Sequence, residues 1–147
     1  MSQSPPPQWY YRQSGVIPFR VGSTGPEVLL ITSRTRKRWI LPKGVVEPGL
    51  TAAASAANEA FEEAGVRGRV AEPSLGSFTY AKWGGICSVE VFAMAVDDVL
   101  DDWPERAERT RRWMSPADAA GLADDPGAGD LIARLAEGLS GACPSCR

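Results

Sequence analysis

Residues 44–66 read GVVEPGLTAAASAANEAFEEAGV, and this stretch decides the fold prediction. It starts as a loop rich in glycine and proline and continues as an alanine-rich run that ends before Gly65. Thr51 carries the side-chain oxygen of a helix N-cap, and glycine is the residue that most often follows a helix C-terminus. The pattern therefore predicts a helix over residues 52–64.

The charges of this helix fall on one side. Glu59, Glu62 and Glu63 are spaced i, i+3 and i+4, so their side chains converge, and the helix contains no lysine or arginine. The other side is apolar and comprises Ala53, Ala57, Ala60, Phe61 and Ala64. Two interpretations stay open from the residues alone: a solvated acidic face, or a cation site. Crowded carboxylates acquire raised pKa values unless a cation lies among them, and oxygen ligands suit Mg²⁺ or Mn²⁺.

The same stretch resembles the Nudix box, which has a glycine, a spaced glutamate and then the run Arg-Glu-apolar-any-Glu-Glu-any-Gly-apolar. The register agrees at Gly44, Glu59, Ala60, Glu62, Glu63, Gly65 and Val66. Leu50 stands where the family has the first glutamate, and Asn58 stands where it has the arginine. We interpret these two residues as a matched uncharged replacement of a partly buried ion pair. Removing only one partner of such a pair would leave the other charge partly buried without a counter-ion.

The resemblance implies an α+β fold, a Nudix-type α/β/α sandwich with a mixed β-sheet, over residues 13–138. Residues 1–12 are expected to form a flexible arm and residues 139–147 a flexible tail. Strand-like runs and turn residues agree with this fold, because they predict one hairpin from 15–20 and 27–33 and another from 75–83 and 86–96. Arg111–Met114 resembles a short strand, and helices are expected from Ser115-Pro116 and over 130–139.

The resemblance also implies chemistry: hydrolysis of a phosphoanhydride bond in a small phosphorylated molecule, with Mg²⁺ or Mn²⁺ as cofactor. The expected metal ligands are the Gly44 carbonyl and the carboxylates of Glu59, Glu62 and Glu63, and the same three acids are the expected catalytic residues. The general base stays open, with Glu90 as one candidate. The alternative is a Nudix-fold module that binds a nucleotide or inositol phosphate without hydrolysis, and the two departures from the box favour it.

Basic residues cluster on both sides of the box. Arg34, Arg36, Lys37 and Arg38 precede it, and Arg106, Arg109, Arg111 and Arg112 follow the acidic stretch 97–108. These flanks resemble the branch that hydrolyses diphosphoinositol polyphosphates and diadenosine polyphosphates. The expected substrate-binding residues are Arg34, Arg38, Lys43, Arg109 and Arg111, since charge-assisted contacts recognise phosphates. Arg34 and Arg111 are the pair expected to converge on one pocket.

Composition excludes several other classes of function. The chain has 147 residues, 44% of them hydrophobic, which suits one domain with a real core. It has no histidine, so catalysis through histidine is excluded, and its net charge of −2 argues against a nucleic-acid partner. Three cysteines form no disulfide framework, and no signal-like or membrane-spanning apolar run is present. We therefore expect a cytoplasmic monomer or homodimer with no membrane partner.

Overall fold

The computed structural model describes residues 10–35 and 37–141. The strands are β1 (Tyr10–Gly22), β2 (Gly25–Thr32), β3 (Trp39–Ile40), β4 (Lys43–Val45), β5 (Val66–Val70), β6 (Gly76–Lys82), β7 (Gly85–Val99) and β8 (Arg111–Met114). The helices are α1 (Ala52–Glu59), which continues into a π-helical turn (Ala60–Ala64), followed by α2 (Pro116–Leu122) and α3 (Ala128–Gly141).

The strands form one mixed sheet of eight. Its main path runs β3-β2-β1-β7-β5, with β4 paired to β1, β6 to β7 and β8 to β2. The central strands β1 and β7 are parallel, and the other pairs are antiparallel. Both predicted hairpins are confirmed, as β1–β2 and β6–β7, whereas β5 was not predicted.

Helices cover both faces of the sheet, which confirms the α/β/α sandwich. Successive strand residues point to opposite faces, so Val16 packs toward α1 while its neighbour Ile17 packs toward α2 and α3. The core under α1 holds Leu29, Ile31, Phe92 and Met94, together with alanines of the helix. Small alanine side chains bring the helix close to the sheet, and this places its charged residues beside the strands.

The face on which α1 packs differs from the predicted apolar side. Its buried residues are Ala52, Ser55, Ala56, Ala60, Glu63 and Ala64, whereas Ala53, Ala57 and Phe61 are only half-buried. Alanines occur all around this helix, so hydrophobicity alone hardly distinguishes one side from another. The widened π-helical turn further rotates its last residues away from a 3.6-residue repeat. As a result, one of the three glutamates faces inward.

Both helix boundaries are confirmed. The Thr51 hydroxyl accepts a hydrogen bond from the Ala54 amide (3.1 Å), and Gly65 adopts the left-handed conformation with φ 66°. The expected chain ends need correction, because β1 already begins at Tyr10 and α3 continues to Gly141. The remaining arm (1–9), the tail (142–147) and Arg36 lie outside the described residues. Within the described ranges, none of the helices is long and apolar enough to cross a membrane.

Candidate active site

Strand β4 lies against the end of α1, and Gly44 makes this approach possible. Gly44 pairs with Ser14 of β1, and its Cα faces the side chain of Glu59. A Cβ at position 44 would overlap the Glu59 carboxylate. The glycine therefore leaves room for the Glu59 carboxylate directly beside the backbone. The carboxylate and the backbone carbonyl together could provide oxygen ligands for a metal ion.

Glu63 is the inward-facing carboxylate of the π-helical turn, and only 7% of its surface is exposed. Its Oε1 accepts a hydrogen bond from the Lys43 amide (3.1 Å), and its Oε2 lies 3.6 Å from a guanidinium nitrogen of Arg109. The Glu59 carboxyl group lies close enough to Glu63 for each acid to shift the pKa of the other. Two acids thus meet at the wall formed by β4.

Their protonation reflects this crowding. Burial raises the pKa of Glu63 to about 8, against the opposing effect of the Arg109 charge, and the nearby Glu59 raises it further. Burial also raises the pKa of Glu59, as does the negative charge of Glu62. Two carboxyl groups that resist ionisation when alone are a favourable place for a cation, because a cation replaces the proton. The oxygen-only donors of Gly44, Glu59 and Glu63 fit a hard divalent ion such as Mg²⁺.

The expected set of three carboxylates is not brought together. In the part of the chain that the structure describes, no group of three or more histidine, cysteine, aspartate or glutamate side chains is arranged to hold a metal ion. Glu59 and Glu62 are both half-buried, and neither lines the cavity beside Glu63. What distinguishes Glu59 is that its carboxylate lies against Gly44, whereas Glu62 affects Glu59 through its charge. The geometry therefore supports Glu59 and Glu63 as a pair of ligands and leaves Glu62 as a neighbouring charge.

Arg109 joins this acidic pair to the loop after β7. Only 8% of its side chain is exposed, and its guanidinium donates to Glu105 (2.9 Å) and to the Thr32 carbonyl (3.0 Å) as well as facing Glu63. Glu105 also pairs with Arg34 (3.1 Å), which projects from the opposite loop. Arg34 and Arg109 therefore line one cavity, and both are bound by Glu105, a carboxylate that the sequence pattern did not single out.

Lys43 is held by a second carboxylate that sequence reasoning missed. Asp125, in the loop between α2 and α3, accepts hydrogen bonds from the Lys43 ammonium (2.8 Å) and from the Leu41 amide (2.9 Å). The side chains of Lys43 and Asp125 are 11% and 7% exposed. Arg38 forms the corresponding exposed pair with Asp124, so it lies at the outer edge of this region.

Arg111 does not lie in the pocket, which contradicts its predicted convergence with Arg34. Its guanidinium donates to the carbonyls of Ala64 (2.9 Å), Gly65 (3.2 Å) and Leu100 (2.6 Å). Arg111 is the first residue of strand β8, and its side chain extends to the end of the π-helical turn instead of toward the cavity. Sequence register gave no sign of this, because a basic cluster looks the same whether its members bind phosphate or backbone.

The cavity beside Glu63 has a volume of about 440 Å³. Its lining is basic and aromatic around the one buried acid, and includes Arg34, Lys43, Arg109, Tyr80, Lys82 and Trp83. Glu90, the candidate general base, lines a different groove with Arg12 and Ser88. The structure thus brings five of the predicted site residues together around this cavity, namely Gly44, Glu63, Arg34, Lys43 and Arg109, and places Glu90 elsewhere.

Leu50 and Asn58 are both exposed, so the interpretation as a replaced buried pair is wrong for this chain. An exposed charge is solvated by water, so losing its ion-pair partner changes the stability of the fold little. We expect Asn58→Arg alone to change the free energy of unfolding by less than about 0.5 kcal/mol, and Leu50→Glu to add to it without coupling. Urea unfolding of both single variants and the double variant measures this. A coupling above about 1 kcal/mol would show that the two positions are shielded from water.

Comparison with known proteins agrees with this geometry. The model of the NUDIX domain matches residues 11–135. The chain is 38% identical over 104 residues to Nudix hydrolase 12, mitochondrial, of Arabidopsis thaliana, a match that covers 65% of this chain and 51% of that protein. It is 30% identical over 115 residues to diphosphoinositol polyphosphate phosphohydrolase 3-beta of Bos taurus, covering 77% and 69%.

A solved structure has the same architecture. The Ap4A hydrolase of C. elegans, in its binary complex, superposes with a TM-score of 0.77 at 26% identity, covering 89% of this chain and 98% of that one. The chain spans about half the length, 51%, of the first plant relative. Because the domain match extends over all three layers of the sandwich and includes the acidic π-helical turn, the chain belongs to the Nudix hydrolase family.

Proposed function

We propose that this protein is a divalent-metal-dependent hydrolase that cleaves a phosphoanhydride bond in a small phosphate-rich molecule. The observation that carries the proposal is the pairing of the buried Glu63 with the half-buried Glu59, which lies against Gly44, next to a cavity lined by Glu63, Arg34, Lys43 and Arg109. A module that only bound phosphates would need the cations alone. Placing two carboxyl groups close together in a partly buried site is unfavourable for their ionised forms. Their presence beside the cations therefore favours hydrolysis over binding without hydrolysis.

Different residues of the site would bind the metal ion, orient its ligands and bind the substrate phosphates. Glu59, Glu63 and the Gly44 backbone would hold Mg²⁺ or Mn²⁺, which, when bound, neutralises phosphate charge and acidifies water. Arg109 fixes the orientation of Glu63 through its 3.6 Å approach, and its anchoring on Glu105 and Thr32 keeps that orientation rigid. Arg34, 57% exposed and turned to the cavity, is placed to meet the outer phosphates of a substrate.

One surface residue bears on the choice of substrate. Trp83 is 53% exposed, lines the cavity and has a positive φ of 55° in the β6–β7 turn. An aromatic plane held at the mouth of a phosphate-binding cavity suits a nucleobase better than an inositol ring, which has no π face. We therefore favour dinucleoside polyphosphates over diphosphoinositol polyphosphates, the two substrate types named in similar proteins.

A panel of substrates tests the proposal. Purified protein with Mg²⁺ is incubated with diadenosine tetraphosphate, a diphosphoinositol polyphosphate, ADP-ribose and a nucleoside triphosphate, and the products are quantified. The expected result is hydrolysis, fastest with the dinucleoside polyphosphate. Binding of these ligands without turnover of any of them, under saturating Mg²⁺, would establish the alternative of a binding module.

Arg34→Ala is expected to raise KM for diadenosine tetraphosphate about 10-fold and KM for ADP-ribose much less, since the lost charge serves only the outer phosphates. The difference in KM for diadenosine tetraphosphate between wild type and Arg34→Ala should shrink as the salt concentration rises, because exposed charges are screened over about 8–10 Å at physiological ionic strength. Arg69→Ala, an exposed arginine of β5 paired with Asp97, is the control. Equal effects on both substrates would assign Arg34 to general binding or folding.

A further inference from the structure

Three consecutive backbone carbonyls at the end of the π-helical turn are bound by one segment of the chain. The last carbonyls of a helix have no partner within it. Here the Glu62 carbonyl accepts from the Glu105 amide (3.0 Å), and the Glu63 carbonyl accepts from the Trp103 indole (3.1 Å). The Ala64 carbonyl accepts from Arg111 (2.9 Å). All three donors belong to residues 100–111, which we call the brace.

Arg111 is the centre of the brace. Beyond Ala64, it donates to the Gly65 carbonyl and, on its other side, to the Leu100 carbonyl (2.6 Å). Its guanidinium lies 4.0 Å from the centre of the Trp103 ring. Its backbone is fixed in the sheet, where Arg111 pairs with Ile31. One side chain thus connects the sheet, the brace and the end of the π-helical turn.

Gly65 shows how close this packing is. A Cβ at this position would lie 2.6 Å from the Trp103 ring and 2.8 Å from an Arg111 nitrogen. Together with its φ of 66°, this leaves no room for a larger residue. The turn that carries Glu63 therefore lies directly on the Arg111–Trp103 pair, and a shift of that pair moves the backbone of the turn.

The brace also reaches the side chain of Glu63. Arg109, two residues before Arg111, faces the Glu63 carboxylate, and Glu105 anchors Arg109. The brace thus contacts both the backbone and the carboxylate of Glu63, and the Lys43 amide of β4 binds the other carboxylate oxygen.

We propose that Arg111 is a positioning residue: through the brace it sets where the Glu63 carboxylate stands beside Glu59, without touching substrate. This rests on the proposed function, since the position of Glu63 matters for hydrolysis. A lysine keeps the charge but has no planar fork with which to hold several carbonyls at once. Groups that orient metal ligands typically change metal affinity or activity about 10–100-fold when lost.

The test compares Arg111→Lys with Arg112→Lys, the adjacent exposed arginine of β8. Four quantities are measured: the Mn²⁺ dissociation constant by calorimetry, kcat at saturating metal, KM for diadenosine tetraphosphate, and Tm. For Arg111→Lys we expect metal affinity and kcat each to fall by about 10-fold or more, with KM within about 3-fold of wild type. Arg112→Lys should match wild type in all four.

Other outcomes overturn the proposal. A raised KM with unchanged metal affinity would make Arg111 a substrate-binding residue, and a lowered Tm alone would make the brace merely structural. If Arg111→Lys fails to fold, Trp103→Phe removes the donor to the Glu63 carbonyl while keeping an aromatic ring beside Arg111, and unchanged metal affinity in that variant contradicts the proposal. A wild-type protein that binds Mn²⁺ but hydrolyses nothing would count against the proposed function, while the calorimetry would still decide the role of Arg111.

Discussion

Glu63→Gln is expected to lower kcat by at least about 100-fold while making the metal-free protein more stable. The loss of activity follows from removing one of two paired ligands. The gain in stability follows from burial, because Glu63 is 7% exposed and its ionised form is held out of water. Activity assays with Mg²⁺ and thermal unfolding in EDTA measure the two effects, with Glu137→Gln on the exposed side of α3 as control.

The raised pKa of Glu63 also makes the stability of the metal-free protein depend on pH. The folded protein keeps the Glu63 proton up to a pKa of about 8, whereas the unfolded chain loses it near the ordinary value of 4.5. Between these values the folded state binds more protons, so the metal-free wild type should lose stability as pH rises. Glu63→Gln should flatten this slope. If Glu63→Gln is less stable than wild type at pH 8, or retains full activity, Glu63 is not the buried metal ligand proposed here.

Asp125→Ala is expected to destabilise the fold by about 3 kcal/mol, the typical cost of stranding one partner of a buried ion pair. Its loss leaves the buried Lys43 ammonium without its 2.8 Å partner and removes the acceptor for the Leu41 amide. Asp124→Ala is a matched control in the adjacent position, because its pair with Arg38 is exposed and worth about 1 kcal/mol at most. Chemical denaturation of the three proteins gives both differences.

Equal destabilisation by the two aspartate variants would mean that Lys43 finds water or another partner when Asp125 is lost. In that case Lys43 would be a mobile cation of the cavity and not a fixed one. A loss of Asp125 that lowers activity at temperatures where the variant is still folded would show, in addition, that the Lys43–Asp125 pair positions the strand that carries Gly44.

The parts of the fold that depend on local chemistry were predictable. Thr51 and Gly65 mark the helix because capping needs a side-chain oxygen at one end and a left-handed residue at the other. The turn around Gly84 marks a hairpin for a similar reason. The sandwich itself followed from resemblance to the Nudix box and is confirmed.

The parts that depend on tertiary contacts were not predictable from the sequence. The inward turn of Glu63 depends on which face of an alanine-rich helix meets the sheet, and a hydrophobic pattern of alanines does not specify that. Arg109 and Arg111 are two residues apart in a basic run, yet one faces a carboxylate and the other holds carbonyls. Asp125 lies 82 residues from Lys43, and Glu105 binds the distant Arg34 as well as Arg109, four residues after it, so the spacing of the acids does not identify these contacts.

We expect phosphoanhydride hydrolysis to depend on a divalent ion held by Glu59 and Glu63. This dependence is measured as the rate of product release from diadenosine tetraphosphate, for wild-type protein and Glu63→Gln, as EDTA is added and Mg²⁺ is then titrated back. EDTA should abolish turnover, Mg²⁺ should restore it in the wild type, and Glu63→Gln should stay at least about 100-fold slower at saturating Mg²⁺. Turnover that persists in EDTA, or a Glu63→Gln variant as fast as wild type, would contradict this expectation.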